Sequence, residues 1–292
     1  MTSSEPVSTS EPTPQEHRRS ILVTGASTGI GAATVADLVG RGFLVWAAVR
    51  SEAAAAQLTK EYGERVRVLR FDVTDASAVQ AAGEQIAAAG PLSGVVNNAG
   101  VALPGPLEFL PIPSLREQLE VNLIGQLTVI QAVLPALRAT SSSRIIVVGS
   151  IGGRIAGTML GAYNASKFGL VGMTDALRAE LAPWRIPVIL IEPGAINTPI
   201  WSRGLANGEQ VQQQMPPQAG ELYASQIEQA RKNAARSARH GLSPAVVAAA
   251  IAEALTAANP RPRYLVGRDA KIASLIARLP FRLRYRLTAA RS

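Results

Sequence analysis

Short apolar runs alternate with longer Ala-rich amphipathic stretches from Ile21 onward, and turn residues flank each run. This rhythm is typical of repeated βα units. Residues 145–148 and 188–191 are apolar at every position, as expected of strands that helices cover on both faces. The pattern therefore predicts a doubly wound α/β fold, with a mainly parallel sheet of about seven strands and helices on both faces. The predicted strands are 20–24, 44–49, 66–71, 94–97, 144–149, 187–192 and 264–266.

The same pattern divides the chain into one domain and two flanking segments. Residues 1–18 carry three prolines, many hydroxyl groups and almost nothing apolar, so we expect a disordered N-terminal tail. Residues 19–270 are predicted to form a single domain. Within it, residues 201–241 break the rhythm with glycine, glutamine and proline and then with a polar helical stretch, so we expect 195–241 to be a mobile lid or substrate loop. Residues 271–292 are predicted to form a basic C-terminal helical extension.

Composition argues against several classes of protein that could have the same hydrophobic pattern. Of 292 residues, 47% are hydrophobic and 17% are charged, which suits a globular protein with buried parallel strands. There is no cysteine and there are two histidines, so we expect no metal site, and the sequence argues against a Ser-His-Asp hydrolase. Residues 1–18 lack the apolar stretch of a secretory signal, and no run of about 18 uninterrupted apolar residues follows. A cytoplasmic location is the resulting expectation.

The net charge of +8 is concentrated at one end of the chain. Residues 261–292 contain nine Lys/Arg and one acid, Asp269, whereas the preceding residues contain 20 basic and 20 acidic side chains. A balanced body without an extended basic groove argues against nucleic acid binding. Two interpretations of residues 271–292 stay open. The sequence favours a helix packed on the domain with its arginines in solvent, and the alternative is an amphipathic helix in peripheral contact with an anionic membrane.

A glycine-rich turn joins the first predicted strand to the first helix. It reads Thr24-Gly25-Ala26-Ser27-Thr28-Gly29-Ile30-Gly31. Glycines let the backbone turn tightly and approach a pyrophosphate, while the N–H groups and positive dipole end of the following helix hold the anion. No Lys-Ser/Thr pair follows the last glycine, which excludes a P-loop. An ordinary strand-turn-helix junction is the plainer alternative, but the motifs that follow favour a dinucleotide site.

The end of the second predicted strand indicates which dinucleotide such a site takes. A site that prefers NAD carries a carboxylate there for the ribose 2′-hydroxyl. This chain has Arg50 and Ser51 instead, and a guanidinium with a hydroxyl could meet a 2′-phosphate. The alternative is that Arg50 is a solvated surface residue. We therefore expect NADP(H) as the preferred cofactor, with NAD(H) as the less favoured one.

Three side chains in the second half of the domain have the properties of an acid-base device. Tyr163 and Lys167 are four residues apart, so a helix places them on one face. A neighbouring cation, together with an oxidised nicotinamide ring, would lower the pKa of the phenol. Ser150 follows the fifth strand, where its hydroxyl could hydrogen-bond a reacting oxygen, and Val148 breaks the G-x-S-x-G pattern of a nucleophilic serine. Taken singly, the three could be a core aromatic, a surface cation and a strand-end cap.

Together these motifs resemble the short-chain dehydrogenase/reductase family, in the family's order and approximate spacing over residues 20–200. The matching residues are Thr24-Gly25-(x)3-Gly29-x-Gly31, Asn97-Asn98-Ala99-Gly100, Asn122, Ser150, Tyr163-(x)3-Lys167, and Pro193-Gly194 followed by Thr198. The resemblance implies a Rossmann-like domain with a catalytic tetrad. In that tetrad Tyr163 would exchange a proton with the substrate oxygen, which Ser150 would polarise. Lys167 would hold the nicotinamide ribose, and Asn122 would position a water in the proton relay.

The resemblance also implies a set of cofactor contacts. Asp72 would meet the adenine, while Ile196 and Thr198 would meet the nicotinamide carboxamide. Asn97 has an alternative, purely structural role, because asparagine side chains commonly bridge backbone groups. The implied cofactor-binding residues are Gly25, Ser27, Thr28, Gly29, Ile30, Gly31, Arg50, Ser51, Asp72, Val73, Asn98, Ala99, Gly100, Tyr163, Lys167, Pro193, Gly194, Ile196 and Thr198.

Softer similarities to retinol and hydroxysteroid dehydrogenases lie at 153–156, 166–170, 177–181 and 263–271. They imply a small-molecule substrate that is a bulky apolar alcohol or ketone, steroid-, retinoid- or lipid-like, and a homodimer or homotetramer as in most family members. We therefore expect an oxidoreductase that transfers a hydride between NADP(H) and an alcohol or carbonyl group. The alternative is a catalytically silent cofactor-sensing or scaffolding protein on the same fold. An incomplete tetrad would favour that alternative, and all four members are present.

Overall fold

The computed structural model describes residues 19–289, so the tail predicted for residues 1–18 lies outside the described residues. Within that range, one parallel sheet has the strand order β3-β2-β1-β4-β5-β6-β7. The strands are β1 (Ser20–Thr24), β2 (Leu44–Val49), β3 (Val66–Arg70), β4 (Gly94–Asn97), β5 (Arg144–Val148), β6 (Val188–Pro193) and β7 (Arg263–Val266). The predicted doubly wound fold is confirmed, and each strand boundary differs from the predicted one by at most one residue.

Helices cover both faces of this sheet, because its central strands are apolar on both sides. Leu38 and Ile251 pack on one face of the sheet, whereas Ile86, Val133 and Leu170 pack on the other. The helices are α1 (Gly29–Gly40), α2 (Glu52–Tyr62), α3 (Ala76–Ala89), α4 (Ile112–Leu119), α5 (Gly125–Arg138), α6 (Gly161–Glu180), α7 (Ile200–Gln213), α8 (Pro217–Leu222), α9 (Ala224–His240), α10 (Pro244–Thr256), α11 (Arg268–Ile276) and α12 (Phe281–Ala289).

The topology fixes where a ligand can bind. The chain runs from β1 outward to β2 and β3, and then crosses back to place β4 on the other side of β1. Ligands of open α/β sheets bind beyond the carboxyl ends of the strands at such a switch point. The turn after β1 and the segments that follow β4, β5 and β6 therefore lie at one edge of the sheet, where all the predicted motifs converge.

A single helical run stands out by its composition. Ile112–Arg138 comprises α4, a π turn over Glu120–Ile124, and α5, and within the described range it is the one run long and apolar enough to cross a membrane. Of its most apolar window, 44% is buried inside the fold. Val129, Ile130 and Val133 belong to the core beneath the sheet, as in the core helix of a globular domain.

The segment 195–241, predicted as a loop or lid, is built mostly from the helices α7, α8 and α9. The polar helical stretch predicted within this segment corresponds to α9, none of whose residues is buried. Val211, Met215 and Ala219 anchor the segment by packing with Leu110 and Ala162. Helix-forming alanine, glutamine and arginine account for the regular structure of α9. Movement of this segment as a lid stays a prediction.

Candidate active site

A cavity of about 1070 Å³ lies at the carboxyl edge of the sheet. Every residue predicted for the catalytic tetrad or for cofactor contact lines it, with the exception of Gly31, which is buried behind the turn. Residues that are far apart in the chain, such as Arg50, Ser150 and Thr198, thus share one space. The volume is at the upper end of the range for small-molecule and cofactor sites.

The glycine-rich turn has the geometry of a phosphate cradle. Gly25 and Gly29 have φ values of 63° and 58°, which favour glycine, and a Cβ on Gly31 would overlap the carbonyl oxygen of Gly25. Thr28 begins α1 in an extended conformation, and its side chain does not cap the helix. The N–H groups of the first turn therefore keep their capacity to bind an anion from the cavity.

Hydrogen bonds between β1 and β4 hold this cradle in place. The Thr24 hydroxyl accepts from the backbone N–H groups of Asn98 (2.9 Å) and Ala99 (3.0 Å). In return the Asn98 side-chain amide donates to the carbonyl oxygens of Thr24 (3.0 Å) and Gly25 (3.3 Å). Asn98 therefore lines the cavity and shapes the glycine turn at once. Asn97 is fully buried and donates to the Gln126 carbonyl at 2.7 Å, which fits its structural alternative.

At the far end of the cavity, Arg50 extends from the tip of β2. Its guanidinium lies 3.5 Å from the Asp72 carboxylate, and 68% of its side chain is exposed. Burial would raise the pKa of Asp72, but hydrogen bonds from Thr74 and the charge of Arg50 outweigh it and lower that pKa. Ser51 caps α2 by accepting from the Ala54 N–H at 3.3 Å, and its own hydroxyl proton stays available for an anion. An exposed cation beside a hydroxyl donor fits a phosphate.

The reacting centre is built where β5 ends and α6 begins. Ser150 caps a short 3₁₀ turn (Ile151–Gly153), and its hydroxyl accepts from the Gly152 N–H at 3.0 Å. Tyr163, in the first turn of α6, lines the same cavity as Ser150. Burial raises the pKa of Tyr163, and the neighbouring Ser150 hydroxyl lowers it by a smaller amount. The expected lowering of the phenol pKa is therefore not seen in the protein alone, because burial dominates, and the tyrosine is protonated at neutral pH.

Lys167 lies one helical turn after Tyr163 and is almost completely buried. Its ammonium donates to the Val148 carbonyl at 3.0 Å and sits 5.8 Å from the centre of the Tyr163 ring. Burial lowers the pKa of Lys167 to about 8. The lysine therefore remains mainly cationic at neutral pH, close to the titration range in which a proton relay operates.

Asn122 occupies the π turn between α4 and α5 and is fully buried. Its side-chain oxygen accepts from the Val101 N–H at 2.8 Å, and its amide donates to the Val101 carbonyl (3.0 Å) and the Ser166 hydroxyl (3.1 Å). Both amide protons are therefore engaged within the protein. A water positioned by Asn122 would have to use its main-chain carbonyl, which a π turn can release from the regular helical pattern.

Sequence reasoning missed a carboxylate at the end of the cavity that follows β6. Pro193, Gly194, Ile196 and Thr198 line this end, and Asp269 from α11 joins them. The Asp269 carboxylate accepts the Ala195 N–H at 2.6 Å and packs so closely on Gly194 that a side chain there would overlap it. No local signal marks this residue, since it lies 74 positions from its partner, near the end of the predicted domain.

A buried ion pair connects the turn after Ser150 to β6, and it too was not predicted from the sequence. Arg154 donates twice to Glu192, at 2.6 Å each, and once to the Ser274 hydroxyl at 3.0 Å. The Glu192 carboxylate is fully buried, and Arg263 approaches it at 3.9 Å. This pair connects the serine turn, the strand that leads to Pro193, and α11.

Known proteins provide an independent comparison. A family model described as short chain dehydrogenase matches residues 19–207. A 3-amino-tetrahydro-pyrrolizinone reductase from Xenorhabdus hominickii is 37% identical and covers 87% of this chain and 88% of the relative. An NADPH-dependent 3-dehydrocapnine reductase from Ornithobacterium rhinotracheale is 35% identical, covering 85% and 88%. Human retinol dehydrogenase 16 is 32% identical, covering 87% and 82%, so the similarity to retinol dehydrogenases is confirmed.

A solved structure agrees. A short chain dehydrogenase from Burkholderia cenocepacia in complex with NADP has a TM-score of 0.72 and 29% identity, covering 92% of this chain and 97% of that chain. The family match and the relatives extend over the glycine turn, the Ser150 turn and the Tyr163 helix described above. This chain therefore belongs to the short-chain dehydrogenase/reductase family and is an oxidoreductase that acts on alcohol or carbonyl groups.

Proposed function

We propose that this protein is an NADP(H)-dependent carbonyl reductase or alcohol dehydrogenase in which Tyr163 transfers the proton. The observation that carries the proposal is that Ser150, Tyr163 and Lys167 line the same cavity as the glycine turn, with the Lys167 ammonium 5.8 Å from the centre of the Tyr163 ring. When bound, the cofactor would exchange a hydride between its nicotinamide C4 and the substrate carbon. The complete tetrad favours catalysis over a silent sensor or scaffold.

In the reducing direction, each side chain of the tetrad has a separate role. Tyr163 gives its phenolic proton to the substrate oxygen, and burial keeps that proton in place at neutral pH until the transfer. Ser150 donates a hydrogen bond to the same oxygen and stabilises the charge that develops on it. The Lys167 ammonium binds the nicotinamide ribose hydroxyls and lies close enough to the phenol ring to favour the tyrosinate left after transfer. Asn122 fixes the loop after β4 through Val101.

The preference for NADP(H) rests on Arg50 and Ser51. A 2′-phosphate would gain a charge-assisted hydrogen bond from the exposed guanidinium and a second bond from the serine hydroxyl. The glycine turn and the N-terminus of α1 would hold the pyrophosphate. A relative that is named as NADPH-dependent supports the same choice.

We propose an apolar substrate, steroid-, retinoid- or lipid-like. Ile151, Ile155, Leu160 and Trp201 provide an apolar wall beyond the tetrad, and one relative is named for retinol. The Trp201 indole donates to the Ile196 carbonyl at 2.7 Å, which fixes this wall beside the nicotinamide segment. A cytoplasmic homodimer or homotetramer would fit the family pattern, and sedimentation of the purified protein would test the assembly.

A substrate screen tests the function directly. Steroids, retinoids, aliphatic ketones and sugars would be incubated with NADPH, and oxidation followed by the nicotinamide absorbance. We expect turnover of at least one apolar class, and a loss of about a thousandfold in kcat for Tyr163→Phe with cofactor binding retained. Unchanged kcat in Tyr163→Phe would refute the role of this residue. Failure of every class, with NADPH still bound, would favour the silent sensor or scaffold.

A further inference from the structure

The outward face of α11 combines apolar and basic side chains. Ile272 and Leu275 are 54% and 63% exposed, although both are large hydrophobic residues. Arg268 and Lys271 are exposed on the same side, since spacings of three and four residues share a helix face, and Arg278 is exposed two residues after the helix ends. An apolar centre with cations on its flanks therefore faces away from the domain.

The inward face of α11 is fixed to the domain, so the helix cannot turn its apolar residues inside. Ala270 and Ser274 are buried, and Arg154 donates to the Ser274 hydroxyl at 3.0 Å. Asp269 and Ala273 line the active-site cavity. One face of α11 therefore packs on the domain, as the first interpretation of residues 271–292 requires. The opposite face is exposed, as the membrane interpretation requires.

The next helix, α12, also exposes apolar and basic side chains. Phe281 and Leu283 of α12 are 70% and 46% exposed, and Arg282 and Arg286 are exposed beside them. From Arg268 to Arg286 the chain carries six Lys/Arg and a single acid, Asp269, whose carboxylate already accepts the Ala195 N–H. The surface of α11 and α12 is therefore strongly cationic around its exposed apolar residues.

We propose that α11 and α12 form a docking surface for an anionic lipid bilayer. Amphipathic helices that lie in a membrane interface bury an apolar centre at the headgroup boundary while flanking Lys/Arg side chains meet anionic lipids. Ile272, Leu275 and Phe281 supply the apolar centre. Because the reverse face of α11 lines the cavity, docking brings the active site next to the acyl-chain region, from which an apolar substrate can enter.

Two other occupants fit the surface less well. A second copy of the chain would bring these cations against one another across a symmetric interface, with no acidic residue on the surface free to pair with them. A nucleic acid would match the charge, but exposed isoleucine and leucine at the centre offer it neither hydrogen bonds nor stacking. Charge complementarity together with the apolar centre selects the bilayer.

Vesicle flotation of the full-length protein tests this surface. We expect the protein to float with vesicles of phosphatidylcholine and phosphatidylglycerol, and to stay behind with phosphatidylcholine alone. Lys271→Ala/Arg278→Ala should weaken partitioning roughly 25-fold, since each cation near an anionic leaflet contributes about fivefold. Ile272→Ser/Leu275→Ser should weaken it at least about tenfold. These side chains are exposed, so the melting temperature should not change.

A matched control separates the surface from the overall charge. Lys60 and Arg65 are exposed near β3, at the opposite edge of the sheet from β7 and α11. Lys60→Ala/Arg65→Ala removes the same charge and should leave flotation unchanged. Equal loss in this control, or undiminished flotation of both α11 variants, would overturn the proposal. The proposal would also be overturned if wild type did not bind vesicles and the α11 variants changed from oligomer to monomer. That result would make the surface an interface between copies of the chain. Flotation needs no turnover, so it stands apart from the proposed activity.

Discussion

The buried ammonium of Lys167 should lower the free energy of unfolding, and replacing Lys167 with methionine should raise it. Methionine has a similar unbranched length and fills the same space without a charge. Burial lowers the pKa of Lys167 from 10.5 to about 8, and each pH unit between these values corresponds to about 1.4 kcal/mol. Holding the charged lysine in the fold at pH 7 therefore costs about 3 kcal/mol. Its hydrogen bond to the Val148 carbonyl offsets part of this, by about 1 to 3 kcal/mol.

The pH dependence isolates the charge from the hydrogen bond. A lysine with a lowered pKa in the fold destabilises it while the lysine is charged, below about pH 8, and this cost fades as pH rises towards the unfolded value. Wild type should therefore gain about 2 kcal/mol of unfolding free energy relative to Lys167→Met between about pH 7 and pH 9.5. The hydrogen bond contributes similarly at both values and largely cancels.

Urea denaturation of wild type and Lys167→Met at both pH values measures this difference. Lys60→Met, on the exposed side of α2, is the matched control, and its difference from wild type should not change with pH. A constant difference for Lys167→Met across the range would refute the account of this buried cation. The variant should also lose activity, because the group that destabilises the fold is the one that serves the cofactor.

Three further substitutions test other parts of the site. Arg50→Ala should lower kcat/KM for NADPH by about tenfold or more and spare NADH, and an equal fall for both cofactors would argue against a 2′-phosphate contact. Asp269→Ala should raise KM for NADPH about tenfold. Asp269→Asn should have a KM closer to that of wild type, because an amide oxygen can still accept the Ala195 N–H. An equal rise of KM in both variants would mean that the charge of Asp269, and not its hydrogen bond, is important. Arg154→Met should destabilise the fold by about 3 to 5 kcal/mol in urea, because it strands the buried Glu192 carboxylate, and adding Glu192→Gln should recover much of that loss.

The parts of the fold that could be predicted from the sequence are those encoded locally. Residues 145–148 predict a buried strand because every position is apolar. The spacing of Gly25, Gly29 and Gly31 predicts a phosphate cradle, and the positive φ values of Gly25 and Gly29 agree with that prediction. Tyr163 and Lys167 were recognisable since one helical turn separates them. The polar helical stretch predicted before residue 241 corresponds to α9, although α9 buries none of its residues.

The contacts that the sequence could not supply are those between distant segments. Asp269 reaches Ala195 across 74 positions, and Arg154 reaches Glu192 across 38, without any local pattern that links the partners. The raised pKa of Tyr163 in the protein alone has a related origin. The neighbouring cation is visible in the sequence, but the burial of the phenol depends on how the whole domain packs.

Isotope transfer provides the most direct test of the central claim, that Tyr163 serves a hydride transfer between NADPH and a carbonyl group. NADPH carrying deuterium at both C4 positions of the nicotinamide would be incubated with the best ketone from the screen, and the alcohol product analysed by mass spectrometry and NMR. We expect deuterium on the carbinol carbon with wild type, and a loss of about a thousandfold in the transfer rate with Tyr163→Phe. Deuterium-free product, or an undiminished rate in Tyr163→Phe, would contradict the account.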